Sequence, residues 1–267
     1  MKKLRSRRIV VKVGTSTLTY ENGKVNIRRM EALCKVLSDL HNSGKEVILV
    51  SSGAIGIGTG KLLIQKRPDE TRYKQALAAV GQCEMMFLYD KFFGEYNNNV
   101  AQVLLTKNIV TNDHSRQNVI NTFQTLLEMG IIPIVNENDT VAIDELVGTN
   151  FGDNDNLSAI VADLVGAQLL IILTDIDGLY DKDPRKFSDA KKIKTVTHIN
   201  DEIRRVAGGS GSNRGTGGMA TKLIAADAAT AVGINTVVMS GKDPMNIYKL
   251  LNGEDIGTLF TAKDGTM

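Results

Sequence analysis

The sequence has little of what several protein classes require. No apolar run approaches the roughly 20 residues of a membrane helix, and no signal-peptide core precedes the first polar motif. There are only two cysteines, Cys34 and Cys83, both inside helical patterns. That fits buried free thiols in a reducing compartment and not a disulfide framework. The histidines, His41, His114 and His198, are scattered without metal-ligand spacing, so no structural metal is expected. Proline-rich linkers, low-complexity tracts and internal repeats are all missing. Nor is there an excess of one charge: the net value is +2, too near zero to imply a nucleic-acid or membrane partner. The basic opening, Lys2, Lys3, Arg5, Arg7 and Arg8, runs straight into an apolar strand and reads as a solvated lead-in. A cytoplasmic chain is expected.

What is present is a regular alternation of strand and helix. Short apolar runs at 9–13, 47–50, 100–105, 131–135, 169–173 and 236–239 predict strands. Helical stripes fall at 27–40, 73–93, 115–129, 156–164, 200–207, 220–232 and 244–251. Asn26 is placed to cap the first of these helices and Gly44 to stop it. Residues 140–152 read as a hairpin or flap. The alternation implies parallel crossovers, hence one α/β domain over 1–267, a three-layer α/β/α sandwich with an open, mainly parallel central sheet. Four strands end in small, hydroxyl or acidic residues: Gly14-Thr15-Ser16, Ser51-Ser52-Gly53, Asn136-Glu137-Asn138-Asp139 and Thr174-Asp175. Ligands of such folds bind at the carboxyl ends of strands, so these endings point to one cleft.

Lys12 interrupts an apolar strand just before Gly14. It is either an outward residue of an edge strand or an ammonium that closes on a phosphate together with backbone N–H groups. The segment from Ser51 to Gly58 is neither a dinucleotide fingerprint, because its glycines follow the order G-x-x-G-x-G, nor a Walker A loop. Its glycines admit either an anion close to the backbone or a tight packing contact. Asp153, Asn154, Asp155 and Asn156 put two carboxylates and two amides at a helix start, more than a cap requires. The glycine-rich run at 208–218 enters a helix with Lys222 one turn inside. That combines close backbone approach, a helix dipole and a point charge.

With these residues on the page, the chain resembles the amino-acid kinase family, in its glutamate-phosphorylating branch. The matching segments are VVKVGTSTL, VSSGAIGIG, IVNENDTV, FGDNDNLSA, LTDIDGLY, DPR, GTGGMATKL and IGTLF, in the family's order and across nearly the whole chain. The resemblance implies transfer of the γ-phosphoryl group of ATP, used with Mg²⁺, to the γ-carboxylate of L-glutamate. That reaction gives L-glutamyl 5-phosphate, the first step of proline synthesis. It assigns Lys12, Asp155 and Lys222 to catalysis, and Ser52, Gly53, Asp139 and Asn154 to the amino acid. ATP is assigned Lys12, Gly14, Thr174, Asp175, Thr216, Gly217, Gly218, Met219, Ala220, Thr221 and Lys222. The N-terminal part is then mainly the amino-acid site, and the part from about residue 170 mainly the ATP site. Inhibition by proline, a homo-oligomer and delivery of the product to a glutamyl phosphate reductase are implied in the same way. The sequence departs from many family members in ending soon after IGTLF, without a C-terminal PUA module, and in a slightly longer flap.

This reading is chemically economical. A γ-carboxylate with an ordinary pKa near 4.3 is already ionised at pH 7, so no general base is needed. Alignment and charge neutralisation remain, and two lysines suit them. Asp155 would hold an ammonium in place, and Asp139 would accept the α-ammonium of a free amino acid. Rival readings are a sibling kinase acting on acetylglutamate, aspartate, carbamate or UMP, a non-catalytic nucleotide sensor, and a dinucleotide oxidoreductase.

Overall fold

The computed structural model describes residues 4, 6–65, 68–106, 109, 111–142, 154–208 and 218–263. Its elements, in chain order, are β1 (Arg8–Val13), α1 (Thr15–Leu18), α2 (Ile27–Asn42), β2 (Glu46–Ser51), α3 (Ala54–Lys61), α4 (Thr71–Gly94) and β3 (Val100–Leu105). Then follow α5 (Asp113–Glu128), β4 (Ile132–Glu137), α6 (Asn154–Leu164), β5 (Leu169–Thr174), β6 (Leu179–Tyr180), β7 (Lys192–Ile193) and β8 (Thr195–Val196). The last are α7 (Asp201–Gly208), α8 (Met219–Ala231), β9 (Asn235–Ser240), α9 (Asn246–Leu251) and β10 (Thr258–Phe260).

Local signals act where the sequence placed them. The Asn26 side chain accepts from the Arg29 backbone N–H and satisfies one of the orphan donors that open α2. Gly44 follows the end of α2 at a φ of +89°, in the left-handed region that a Cβ disfavours.

Among the described residues, eight strands form one sheet in the order β3-β4-β2-β1-β5-β9-β10-β8. Neighbours from β3 to β9 are parallel; β10 pairs antiparallel with β9, and β8 pairs parallel with β10. The expected open, mainly parallel α/β/α sandwich is therefore what the chain forms. Alternation along β1 sends Ile9, Val11 and Val13 to one face, where α2, α4 and α9 cover them, with Leu37, Phe93 and Leu250 among the contacts. Val10 points to the other face, among Phe123 of α5, Val161 of α6 and Leu223 of α8. Fully burying one such aliphatic side chain contributes about 1.5–3 kcal/mol, and the strand is apolar on both faces for that reason.

The topology sets the crevice. From β1 the chain goes to β2, β3 and β4 on one side, then crosses to β5 on the other, so the order reverses between β1 and β5. Ligands of open α/β sheets bind outside the strand ends at such a switch point. The register aligns Val13 with Ser51 and with Leu173, and Thr174 with Ser240, which brings the polar strand endings to one edge.

One expectation changes. Cys83, expected to be buried, is exposed on α4, while Cys34 is buried as expected. The flap at 140–152 lies mostly outside the described residues, as does most of the glycine-rich run.

Candidate active site

Lys12 sits on β1 with Val50 and Ile172 as its ladder partners, so it occupies a central strand and not an edge. Its side chain leaves the face that carries Val10 and reaches the layer formed by α6 and α8. There, Lys12 Nζ donates to Asp155 Oδ1 at 2.5 Å. Lys222 Nζ donates to Asp155 Oδ2 at 3.0 Å, and Thr221 Oγ1 donates to the same oxygen at 2.9 Å. Lys12 and Lys222 are 5% exposed and Asp155 is fully buried.

Burial alone would push the Asp155 carboxyl up. The ammonium groups of Lys12 and Lys222, by charge and by hydrogen bond, outweigh it and hold the pKa down at about 2. The side chain is ionised at neutral pH. Two ammoniums thus flank one carboxylate where little water competes for them, an arrangement suited to a group that gains negative charge.

α6 begins at Asn154, two residues earlier than the helical stripe indicated, so Asp155 stands in its first turn. Ser158, not anticipated from the sequence, donates its Oγ to the Asp155 backbone oxygen at 2.5 Å and braces that turn. Beside the charged cluster runs a neutral one. Both hydrogens of Asn154 Nδ2 are used, on Ser52 Oγ at 2.8 Å and on Asn136 Oδ1 at 3.0 Å. Asn136 Nδ2 in turn donates to Gln82 Oε1 at 3.0 Å. Gln82 was missed by sequence reasoning. Its signal was a polar residue on the stripe Ala78-Gln82-Met85-Tyr89, whose other members are apolar or aromatic and buried.

Of the remaining candidates, Gly53 opens α3 with φ +109°, and Asp139 is buried just beyond β4. Gly14 follows Val13, and a Cβ there would lie 3.7 Å from Lys12 Nζ. Thr174 is buried at the end of β5, where its backbone oxygen accepts from Gly241, and Asp175 beside it is exposed. Gly218 precedes α8, and Ala220 is exposed on its first turn. The Met219 side chain instead joins the core. Thr216 and Gly217 lie outside the described residues. The glycines after Gly53 take the packing role: a Cβ on Gly58 would overlap the Leu77 carbonyl of α4, and one on Gly81 would overlap that of Ala54.

Two buried ammoniums around a carboxylate at the switch point of an open α/β sheet suit a phosphotransferase. The comparisons agree. The sequence signature of the amino acid kinase family matches residues 7–240. The chain belongs to the amino acid kinase family. It is 62% identical to a glutamate 5-kinase of Clostridium perfringens (strain 13 / Type A), covering 97% of each chain. It is 55% identical to a glutamate 5-kinase of Listeria monocytogenes serovar 1/2a, covering 97% of this chain and 94% of that one. A glutamate 5-kinase of Ligilactobacillus salivarius is 51% identical, covering 97% of both. Among solved structures, a UMP kinase from Bacillus anthracis superposes with a TM-score of 0.63 over 97% of each chain; at 18% identity it speaks for the fold alone.

Proposed function

We propose that the chain is a glutamate 5-kinase, transferring the γ-phosphoryl group of ATP to the γ-carboxylate of L-glutamate and so opening proline biosynthesis. The observation that carries this reading is the Asp155 carboxylate shared by Lys12 and Lys222, set next to the Asn154–Ser52 pair. The names of the relatives support it.

In this reading the acceptor carboxylate needs no base, because it is ionised well above its ordinary pKa. Ser52, Gly53, Asp139 and Asn154 hold the amino acid. Gly14, Thr174, Asp175 and the segment from Thr216 to Lys222 hold ATP, Met219 through its backbone because its side chain is in the core. Lys12 and Lys222 meet the phosphoryl group as it passes from the leaving to the attacking oxygen and negative charge builds on the leaving oxygen. Asp155 keeps both ammoniums in place. Mg²⁺ enters as part of the nucleotide substrate. No group of three His, Cys, Asp or Glu side chains among the described residues is arranged to hold a metal alone, and Mg²⁺ commonly rides on phosphates. Feedback inhibition by proline, a homo-oligomeric state, a cytoplasmic location and delivery of the acyl phosphate to a reductase belong to the same proposal. Among the described residues, no helix is long and apolar enough to cross a membrane.

The test is ATP turnover with hydroxylamine present to trap the acyl phosphate. Glutamate should give the hydroxamate with stoichiometric ADP. Acetylglutamate, aspartate and UMP should give little turnover. Product from acetylglutamate and none from glutamate would transfer the chain to a sibling specificity.

A further inference from the structure

The amides behind Ser52 form a chain with a direction. Gln82 Oε1 accepts from Asn136 Nδ2, and Asn136 Oδ1 accepts from Asn154 Nδ2. The other hydrogen of Asn154 Nδ2 goes to Ser52 Oγ. Each link therefore presents an oxygen to the next residue's NH₂. Asn154 has no hydrogen left, and its Oδ1 is buried without a partner among the described residues. Ser52 Oγ is occupied as an acceptor by Asn154, which leaves its own proton to donate elsewhere. The cleft end of the chain thus offers one acceptor for an N–H donor and one O–H donor for an anion.

An amide is nearly the same shape either way round, so packing alone does not choose between oxygen and nitrogen facing the cleft; hydrogen-bond partners do. Gln82 is the far end of that partner chain. It projects from α4, is 8% exposed, and lies among Ala78, Met85 and Tyr89, where an apolar side chain would be the ordinary occupant. Its Nε2 has no partner among the described residues, so its Oε1 is the atom in use.

We propose that Gln82 is a positioning residue for the amino-acid substrate: acting through Asn136, its oxygen keeps Asn154 Nδ2 on Asn136 and Ser52 and so reserves Oδ1 for an ammonium. It does not touch the substrate. The inference rests on the glutamate reading above and adds to it a residue one helix away from the site.

Two substitutions separate positioning from packing. Gln82→Met keeps volume and suits the apolar surroundings but removes the acceptor. Gln82→Glu keeps an oxygen for Asn136 in either protonation state but is the worse core residue. Positioning predicts a rise of about tenfold or more in glutamate KM for Gln82→Met, the scale of a lost hydrogen bond in a charged site. Gln82→Glu should stay within about threefold, and both should leave ATP KM nearly unchanged. A near-normal Gln82→Met with an impaired Gln82→Glu would reduce the residue to core packing and overturn the proposal, as would equal rises in both KM values. If Gln82→Met does not fold, Asn136→Asp supplies the second arm. An acid at 136 needs a donor from 82, so adding Gln82→Glu there should raise glutamate KM about tenfold further. The same effect of Gln82→Glu in both backgrounds would also overturn it. Wild-type protein that yields no glutamyl hydroxamate would instead refute the underlying glutamate reading, a separate result.

Discussion

Lys12 and Asp155 are 143 residues apart in the chain, yet their ammonium and carboxylate meet at 2.5 Å on the buried side of the central strand. The contact joins the first strand to the first turn of α6, and Lys222 completes it from α8. Such a cluster is held together by its own charges. Removing the carboxylate takes from both ammoniums a buried counter-charge that they share.

Asp155→Asn is therefore expected to lose both activity and stability, the latter by about 3–5 kcal/mol, the usual cost of breaking a buried ion pair from one side. The pH dependence has a definite sign. The Asp155 pKa is depressed from 3.8 to about 2, so its stabilising contribution is complete above about pH 4 and is lost as pH falls through 2. That displacement is worth roughly 2 kcal/mol. Urea unfolding of wild type and Asp155→Asn should give a constant gap from pH 8 to 5 that narrows only below about 4. A gap that shrinks between pH 7 and 5 would assign the effect to another group.

Lys222→Ala should lower kcat by about a hundredfold or more, the scale seen when one preorganised charge donor is taken from a transition state. The glutamate KM should move much less, because the role proposed for this ammonium is at the phosphoryl group. Steady-state kinetics with hydroxamate detection decides this. A variant with near-normal turnover removes Lys222 from the chemistry.

How much of this was legible in the residues differs by element. The central strands were, because parallel strands buried on both faces are continuous apolar runs, and Lys12 stood out as the one break in such a run. The two- and three-residue strands β6, β7, β8 and β10 were not, since pieces so short carry no period. The functional meaning of Lys12 lay in Asp155, and no local pattern ties residues on different elements. Gln82 was visible only as a polar residue on an apolar helix stripe, a signal whose meaning depends on what lies across the helix. The start of α6 was placed two residues late because Asn154 and Asp155 read as capping chemistry, while the fold uses both inside the first turn.

Asp139→Ala should raise the glutamate KM far more than the ATP KM. Asp139 is buried just past β4, and that strand carries Asn136, next to its final residue Glu137 and bonded to Asn154. A buried carboxylate facing a substrate ammonium favours ligands that carry that charge over those that lack it. Initial rates with each substrate varied in turn separate the two constants. Equal rises in both would take Asp139 out of the amino-acid site.

The glycines after Ser52 offer the last test, because two roles were open to them. In the structure, Gly58 of α3 and Gly81 of α4 let the two helices touch backbone to backbone, and a methyl group on either meets a carbonyl that cannot move aside. Gly58→Ala should then cost about 1–3 kcal/mol, the range for overpacking a close contact, and more if the helices separate. Its effect on ATP KM should be small in the fraction that stays folded. A cradle for phosphate would behave the opposite way, with near-normal stability in urea and a sharply raised ATP KM. Gly53 is distinct from both: at φ +109° it turns the chain from β2 into α3 and holds Ser52 beside Asn154. Gly53→Ala should accordingly raise the glutamate KM by moving Ser52, a shift that Gly58→Ala does not share.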